Sequence, residues 1–428
     1  MQVRTKYYYS LLVVVLAGFF TSRQPALAHP MPGSLVNLYV TETSVKGEAR
    51  VPLMELENAI GPQNYSNVND TLFRNYFLRH IVAASGAQQW TTVIDSLAMA
   101  AGTDSIIGGY RELVVYFELK PDTAGSVRQF SFYYDAVIHQ VVTHKAIVYV
   151  QQDWLNGIHE ESGGQQVGII ALDIPTGKLN PLVVNLGNGS WWKGVKGMFL
   201  LGMQHIKEGT DHLLFLLVLL LPSMLLVNQR KWGSFGGNRY SVLNLLRIVT
   251  AFTIGHSCTL LLGALGWVRL PGQPVEILIA VSILISAVHA ITPLFTGKEA
   301  YVAAGFGLVH GLAFAGVLAN LKLTAGAMAL SIAGFNLGIE VMQLLVVALV
   351  VPWFILLSQT RYYRPIRLLG AVLAAVAALG WIAERTTGTG NWVSGFIEYA
   401  VRFAVPGIAI VAFVSLLLFF NAKNSRAA

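Results

Sequence analysis

Residues 205–221 read HIKEGTDHLLFLLVLLL: His205, Lys207, Glu208, Asp211 and His212 run straight into the uncharged stretch Leu213 to Leu221. Ionisable side chains at or inside a bilayer cost about 2.5–3.5 kcal/mol each for Arg, Lys or Asp, so a chain keeps them where they face a bundle interior or a wet path. On a continuous helix, residues seven apart share a face, which lets His205 and His212 act together. Gly209 offers a break that would let Asp211 join them, or hold one imidazole as a hydrogen-bond partner. The stretch therefore reads as the mouth of a membrane span carrying a metal-binding motif.

The rest of the chain supports a membrane setting. Of its 428 residues, 54% are hydrophobic and 12% charged, against about 25% charged in ordinary soluble domains. That balance excludes a disordered chain and argues against a cytosolic enzyme. The net charge of +7 does not point to nucleic acid, because the basic residues sit at the ends of apolar runs. Cys258 is the single cysteine, so no disulfide within the chain and no cysteine-based zinc or iron–sulfur site can form. A metal here must be held by His, Asp, Glu, Asn or backbone, which favours borderline and hard divalent ions.

Seven apolar spans are expected, at 211–227, 242–266, 274–295, 301–319, 326–357, 366–384 and 401–420. Alternate loops carry Arg230, Lys231 and Arg239, then Lys298, then Arg361, Arg364 and Arg367, then Lys423 and Arg426 in the tail 421–428. The opposite loops hold Arg269, Lys322 and Arg385. The positive-inside rule puts the first set in the cytoplasm and the N-terminal domain outside. The N-terminus agrees with this orientation. Arg4 and Lys6 precede the apolar run Leu11 to Phe20, and Ala26-Leu27-Ala28 supplies a cleavage site, the three parts of an export signal over residues 1–28. Residues 29–188 show short Val-, Tyr-, Phe- and Thr-rich runs, among them Ser34–Thr41, Arg111–Leu119, Val127–Tyr134 and Lys145–Val150. They read as an exported, sandwich-like β domain, with Tyr110–Leu119 and Ser126–Tyr134 as a hairpin. Residues 189–210, opening on Trp191-Trp192 with Lys193 and Lys196, read as an amphipathic segment at the membrane interface. The membrane domain covers 211–420.

Polar residues recur inside the expected spans. His256 lies in the second beside Thr253; Ser282, Ser286 and His289 form a stripe on the third; His310 is mid-span in the fourth; Asn336, Glu340 and Gln343 form a stripe on the fifth. Three intramembrane histidines plus a carboxylate and an amide make a candidate ion path of His205, Asp211, His212, His256, His289, His310, Asn336 and Glu340. A second candidate site lies in the exported domain. Cleavage after Ala28 would expose His29 as an amino-terminal chelate, with His139 and His144 as candidate partners.

At these residues the sequence resembles the HupE/UreJ family. The matching pieces are His205-x5-Asp211-His212 with Leu213-Leu214-Phe215, then Phe252-Thr253-Ile254-Gly255-His256-Ser257, then Val275-Glu276-x3-Ala280-x-Ser282, then Gly307-Leu308-Val309-His310-Gly311-x-x-Phe314-Ala315, then Phe335-Asn336-x-Gly338-x-Glu340. The resemblance implies a membrane protein associated with nickel hydrogenase and urease systems and regarded as a nickel or cobalt permease. It places His205, Asp211 and His212 in the metal-binding motif. The exported domain resembles the larger branch, whose members begin near Ala-His-Pro and carry Tyr-Asp-x-x-x-His; the short permeases lack it.

The expected function is a divalent-metal permease of the cell (inner or plasma) membrane with a cytoplasmic C-terminus. Nickel or cobalt is its favoured ion, zinc and copper remain open, and metalloenzyme maturation proteins are candidate partners. Two other classes stay in view. One is a membrane-embedded metal-dependent hydrolase, although no H-E-x-x-H occurs. The other is an accessory protein that delivers metal from its exported domain.

Overall fold

The computed structural model describes residues 33–63, 71–104, 108–122, 127–268, 270–320 and 323–427. The expected leader and His29 lie outside them.

Alternating apolar residues build the N-terminal half into two stacked sheets. The larger joins β1 (Ser34–Val40), β2 (Val45–Pro52), β5 (Thr91–Asp104), β6 (Gly108–Lys120), β8 (Lys145–Asp153), β9 (Gln165–Asp173) and β10 (Lys178–Leu179) in the order β10-β9-β8-β1-β2-β6-β5. The smaller joins β3 (Ile81–Ser85), β4 (Gln88–Gln89), β7 (Gln129–Tyr134) and β11 (Leu182–Asn185) in the order β11-β7-β3-β4. Helices α1 (Leu53–Ile60) and α2 (Thr71–His80) cover the core. Pairing is antiparallel except between β1 and β8. The expected hairpin is corrected: β6 pairs with β2 and β5, while β7 pairs with β3 and β11 in the other sheet. The reason lies in the side chains. Leu113, Val115, Phe117 and Leu119 on β6 and Phe130, Phe132 and Tyr134 on β7 are all buried. Each strand owns a complete apolar face, and stacking the two faces buries both. Phe117 and Phe132 lie nearly parallel, ring centroids 6.4 Å apart.

The C-terminal half is helical: α3 (Trp191–Glu208), α4 (Thr210–Leu220), α5 (Asn238–Ala264), α6 (Gly272–Ile291), α7 (Glu299–Asn320), α8 (Ala325–Ser358), α9 (Tyr363–Thr387), α10 (Trp392–Val401) and α11 (Ala404–Ala427). Among the described residues, α5, α6, α8 and α9 are long and apolar enough to cross a membrane, and the pair α10–α11, bent by 75°, makes a fifth candidate. The chain is thus a membrane protein with a β-rich N-terminal region. The expected count of seven is not confirmed among the described residues, and the first expected span differs from its expected form. α4 stops at Leu220, about 16 Å long at 1.5 Å per residue and so half a bilayer core. Pro222 has no N–H to continue the ladder. The apolar residues beyond it enter a hairpin, β12 (Leu225–Asn228) with β13 (Lys231–Phe235). Gln229 and Arg230 turn that hairpin at φ 46° and 58°, the primed geometry that fits twisted strands.

The segment 189–210 carries α3, and the glycines of that helix are packing contacts. A Cβ on Gly202 would meet the carbonyl of Phe335, and one on Gly338 the carbonyl of Phe199, so α3 and α8 lie backbone against backbone. The same relation recurs between α5 and α7, where Gly307 faces the Phe252 carbonyl and Gly255 the Ala304 carbonyl. The repeat is visible in the chain: Phe199-x-x-Gly202-x-x-His205 against Ala304-x-x-Gly307-x-x-His310, and Phe252-x-x-Gly255 against Phe335-x-x-Gly338. Gly334 and Gly338 face the carbonyls of Val195 and Phe199 in turn, and Gly307 and Gly311 those of Phe252 and His256; in each pair the contacts advance in the same direction along both helices, so both pairs are parallel.

The β region meets the helices through Trp154, whose indole N–H donates to Ser331 Oγ at 2.7 Å, and through His159, whose Nε2 closely approaches Gly197. His159 is 1% exposed, and neither ring nitrogen has a partner among the described residues. Burial pushes its pKa down to about 4 against a small opposing pull from Asp153. A histidine depressed in the folded state binds fewer protons there than in the unfolded chain. Its contribution is complete above about pH 6.5 and is lost as pH falls from there towards 4, at about 1.4 kcal/mol per unit. Thermal unfolding of the full chain between pH 7 and 4 is expected to show this slope, and His159→Phe to flatten it. An equally steep variant would refute the assignment.

Candidate metal centre

Gly209 separates α3 from α4 with φ −71° and ψ 88°, outside the helical region. On an unbroken helix His205 and His212 would stand about 10.5 Å apart along the axis. The break folds them together, with ring centroids at 4.8 Å. The crossing pair brings two more rings. His256 on α5 lies 6.3 Å from His205 and 6.5 Å from His212, and His310 on α7 lies 4.8 Å from His212. One ligand nitrogen each from His205, His212 and His256 fall within 4.8 Å of one another. Two nitrogens on one ion are at most about 4.2 Å apart, twice a bond of 2.0–2.1 Å, so a shift of under an ångström completes the set.

Phenylalanines wall this space. Phe314 and Phe335 stack at 4.3 Å beside His205, while Phe215 and Phe252 pack at 5.0 and 5.2 Å against His310. His212, His256 and His310 are buried. In such surroundings every polar atom normally has a partner. Yet His205 Nε2, His212 Nε2, both nitrogens of His256 and His310 Nδ1 have none among the described residues.

The partnered nitrogens fix the tautomers. Asp211 Oδ1 lies 2.9 Å from His212 Nδ1 and also accepts the His212 backbone N–H at 2.9 Å. A carboxylate oxygen accepts, so His212 carries its proton on Nδ1 and presents the Nε2 lone pair. Ser282 Oγ donates its one proton to the Ile279 carbonyl at 2.6 Å. It must therefore accept from His310 Nε2 at 2.9 Å, leaving the His310 Nδ1 lone pair free. Hydrogen-bonding one ring nitrogen so that the other faces the ion is how metal-binding histidines are oriented. Asp211 is held in turn by Arg385, 3.5 Å from its Oδ2, and Arg385 lies 3.4 Å from Glu276.

Of the eight residues expected in the membrane path, the fold joins His205, Asp211, His212, His256 and His310. Asn336 neighbours His256 and holds a buried Oδ1 without a partner among the described residues. Glu340, one turn on, is half-buried and makes no hydrogen bond or ion pair among the described residues. His289 is elsewhere: at the end of α6 its ring stacks on Phe295 at 3.7 Å, and its Nδ1 accepts from the Leu294 N–H at 3.0 Å. In the β region, His144 is buried with both nitrogens engaged, Nε2 at 2.8 Å from Ser34 Oγ and Nδ1 at 3.0 Å from Glu55. His139 is exposed and stacks on His80. The supporting roles of Ser282 and Arg385 are absent from the sequence reading. Only the i+4, i+7 polar stripe on α6 hinted at the first, and nothing in the chain pairs Arg385 with Asp211 across 174 positions.

Residues 183–385 match the family model described as HupE / UreJ protein, a region that includes every membrane site residue above. No curated protein and no solved structure matches the chain.

Proposed function

We propose that this chain, whose residues 183–385 belong to the HupE / UreJ family, is a membrane permease whose cargo is a divalent ion of the nickel or cobalt type. The family is associated with nickel and cobalt uptake or accessory functions. The observation that carries the reading is the set of buried, unpartnered imidazole nitrogens on four helices, with the tautomers of His212 and His310 fixed so that each keeps a lone pair on such a nitrogen. Neutral imidazoles suit nickel, cobalt, zinc and copper(II). In this reading His205, His212 and His256 take the ion, and His310, 4.8 Å from His212, receives or completes it. Asp211 keeps His212 in the ligating tautomer, and Arg385 holds Asp211.

The repeated helix pairs support movement of the ion. If successive spans alternate in direction, α7 and α8 run opposite ways, and the parallel pairs α3–α8 and α5–α7 are oppositely oriented. Oppositely oriented repeats with a site at their junction are the architecture of alternating access. We place the β region outside the cytoplasm, following the loop charges. Sealed proteoliposomes given nickel, cobalt, zinc and copper in turn are expected to show saturable uptake of at least one ion. Absence of all flux, from protein that still carries stoichiometric metal, would overturn the permease reading in favour of an enzyme or delivery protein.

A further inference from the structure

Beside the metal centre, Arg385 divides its contacts between two carboxylates. It stands in the last turn of α9, against the first turns of α4 and α6. Its Nη2 lies 3.5 Å from Asp211 Oδ2, its Nε 3.4 Å from Glu276 Oε2, and its Nη1 donates to the Glu276 carbonyl at 3.4 Å. Close guanidinium–carboxylate bonds measure about 2.7–2.9 Å, so the cation is shared by the two carboxylates and locked to neither. The stem is better fixed. The Arg385 carbonyl accepts from Gln273 Nε2 at 2.7 Å, and the guanidinium lies 5.7 Å from the centre of the Trp381 ring. Glu276 is exposed, whereas Asp211 is mostly buried.

Holding Asp211 in place does not by itself require an arginine. Asp211 Oδ1 is already fixed by the ring and backbone N–H groups of His212, both at 2.9 Å. What Arg385 adds is charge. A carboxylate behind a ligating imidazole raises the basicity of that ring towards a metal. A guanidinium on the other oxygen of the carboxylate cancels part of that effect, and it repels a dication directly. Both act in one direction, towards a weaker hold on the ion. A set of neutral imidazoles acts the other way, and a permeation site must bind well enough to load yet loosely enough to release.

We propose that Arg385 tunes the affinity of the histidine centre by exchanging between Asp211 and Glu276: leaning on Asp211 it loosens the ion, and drawn to Glu276 it lets Asp211 strengthen His212 as a ligand. By linkage, an ion arriving at His212 shifts Arg385 towards Glu276, and Arg385 returning to Asp211 favours departure of the ion. Arg385 is thus a positioning residue that acts through Asp211. The use of this exchange in transport rests on the permease reading; its effect on affinity rests on His212 as a ligand.

Equilibrium dialysis of nickel against the full-length protein in detergent tests this by sign. Losing a supporting contact weakens a metal site. Arg385→Gln is expected instead to tighten nickel binding at least about tenfold, the scale of a unit charge acting on a nearby dication at a surface-like dielectric. Arg385→Lys keeps the charge, and no contact here is a close two-pronged one that lysine cannot copy, so affinity should return to within about threefold of wild type. Glu276→Gln leaves Arg385 to Asp211 and should weaken binding about three- to tenfold. On the Arg385→Gln background the same change should have less than about a twofold effect, since no cation is left for Glu276 to draw away. Circular dichroism checks the fold, and Glu276, being exposed, gives a readable variant even where Arg385→Gln does not fold. Binding unchanged or weakened in folded Arg385→Gln, or unchanged or tightened in Glu276→Gln, would overturn the proposal. So would a Glu276→Gln effect undiminished on the Arg385→Gln background. Absence of ion flux in liposomes, beside the expected gain of affinity in Arg385→Gln, would instead count against the permease reading alone.

Discussion

His212→Ala is expected to lower the affinity of the purified protein for nickel at least about 100-fold, some 2.7 kcal/mol. His212 stands between the other rings, 4.8 Å from both His205 and His310. It is also the ring whose proton is fixed by Asp211, so alanine removes a ligand and its orienting partner's purpose together. Ser282→Ala leaves the ligand count unchanged but frees His310 to carry its proton on Nδ1. That change should cost about 10- to 100-fold, the range for losing an orienting hydrogen bond. His289→Ala sets the contrast. Its ring is stacked on Phe295 and bonded to the Leu294 N–H, so affinity should stay within about threefold even if stability falls. Equilibrium dialysis with a thermal-unfolding check on each variant reads all three. A His212→Ala protein that binds as wild type does, or a His289→Ala protein that loses binding while folded, would refute the assignment of the centre.

The fate of His289 shows where sequence reasoning reaches its limit. Polar residues in an apolar run announce that something faces the bundle interior, and that inference selected His205, Asp211, His212, His256 and His310, which the fold gathers. It carries no distance along the helix. Ser282 and His289 share a stripe on α6, yet seven residues separate them by about 10.5 Å, enough to put one against His310 and the other against Phe295. Glu340 is a similar case, one turn beyond Asn336. The hairpin expected from 110–134 failed for a related reason. Alternation tells which face of each strand is apolar, and it is silent on whether two such faces pair edge to edge or stack. The helix break at Gly209 was legible because glycine beside Thr210 and Asp211 disrupts a helix locally. The glycines of α3 carry a different meaning, because a close helix crossing leaves the same mark in the chain as a weak helix. Ser282 and Arg385 matter through contacts spanning 28 and 174 positions, which one chain without relatives cannot reveal.

That ambiguity of glycine yields the sharpest structural test. Gly305 and Gly307 lie two residues apart on α7, and intrinsic propensity predicts that alanine stabilises a helix at either place by up to about 1 kcal/mol. The packing predicts opposite signs. A Cβ on Gly305 meets nothing within 4 Å, whereas one on Gly307 collides with the Phe252 carbonyl and crowds the His256 N–H at 2.9 Å. Those are backbone atoms of α5 and cannot rotate aside, so α5 and α7 must separate, at a cost of about 1–3 kcal/mol for overpacking. Because His256 and His310 ride on those two helices, Gly307→Ala should also weaken nickel binding without touching a ligand, while Gly305→Ala should leave it as in the wild type. Thermal unfolding in detergent and equilibrium dialysis measure both effects on the same samples. If the two alanines shift stability in the same direction, the close α5–α7 crossing is wrong, and with it the placement of His256 and His310 beside His212. If only Gly307→Ala is damaging, and damages both properties, then helix spacing and ion affinity are one quantity, as a site built at the junction of two packed pairs demands.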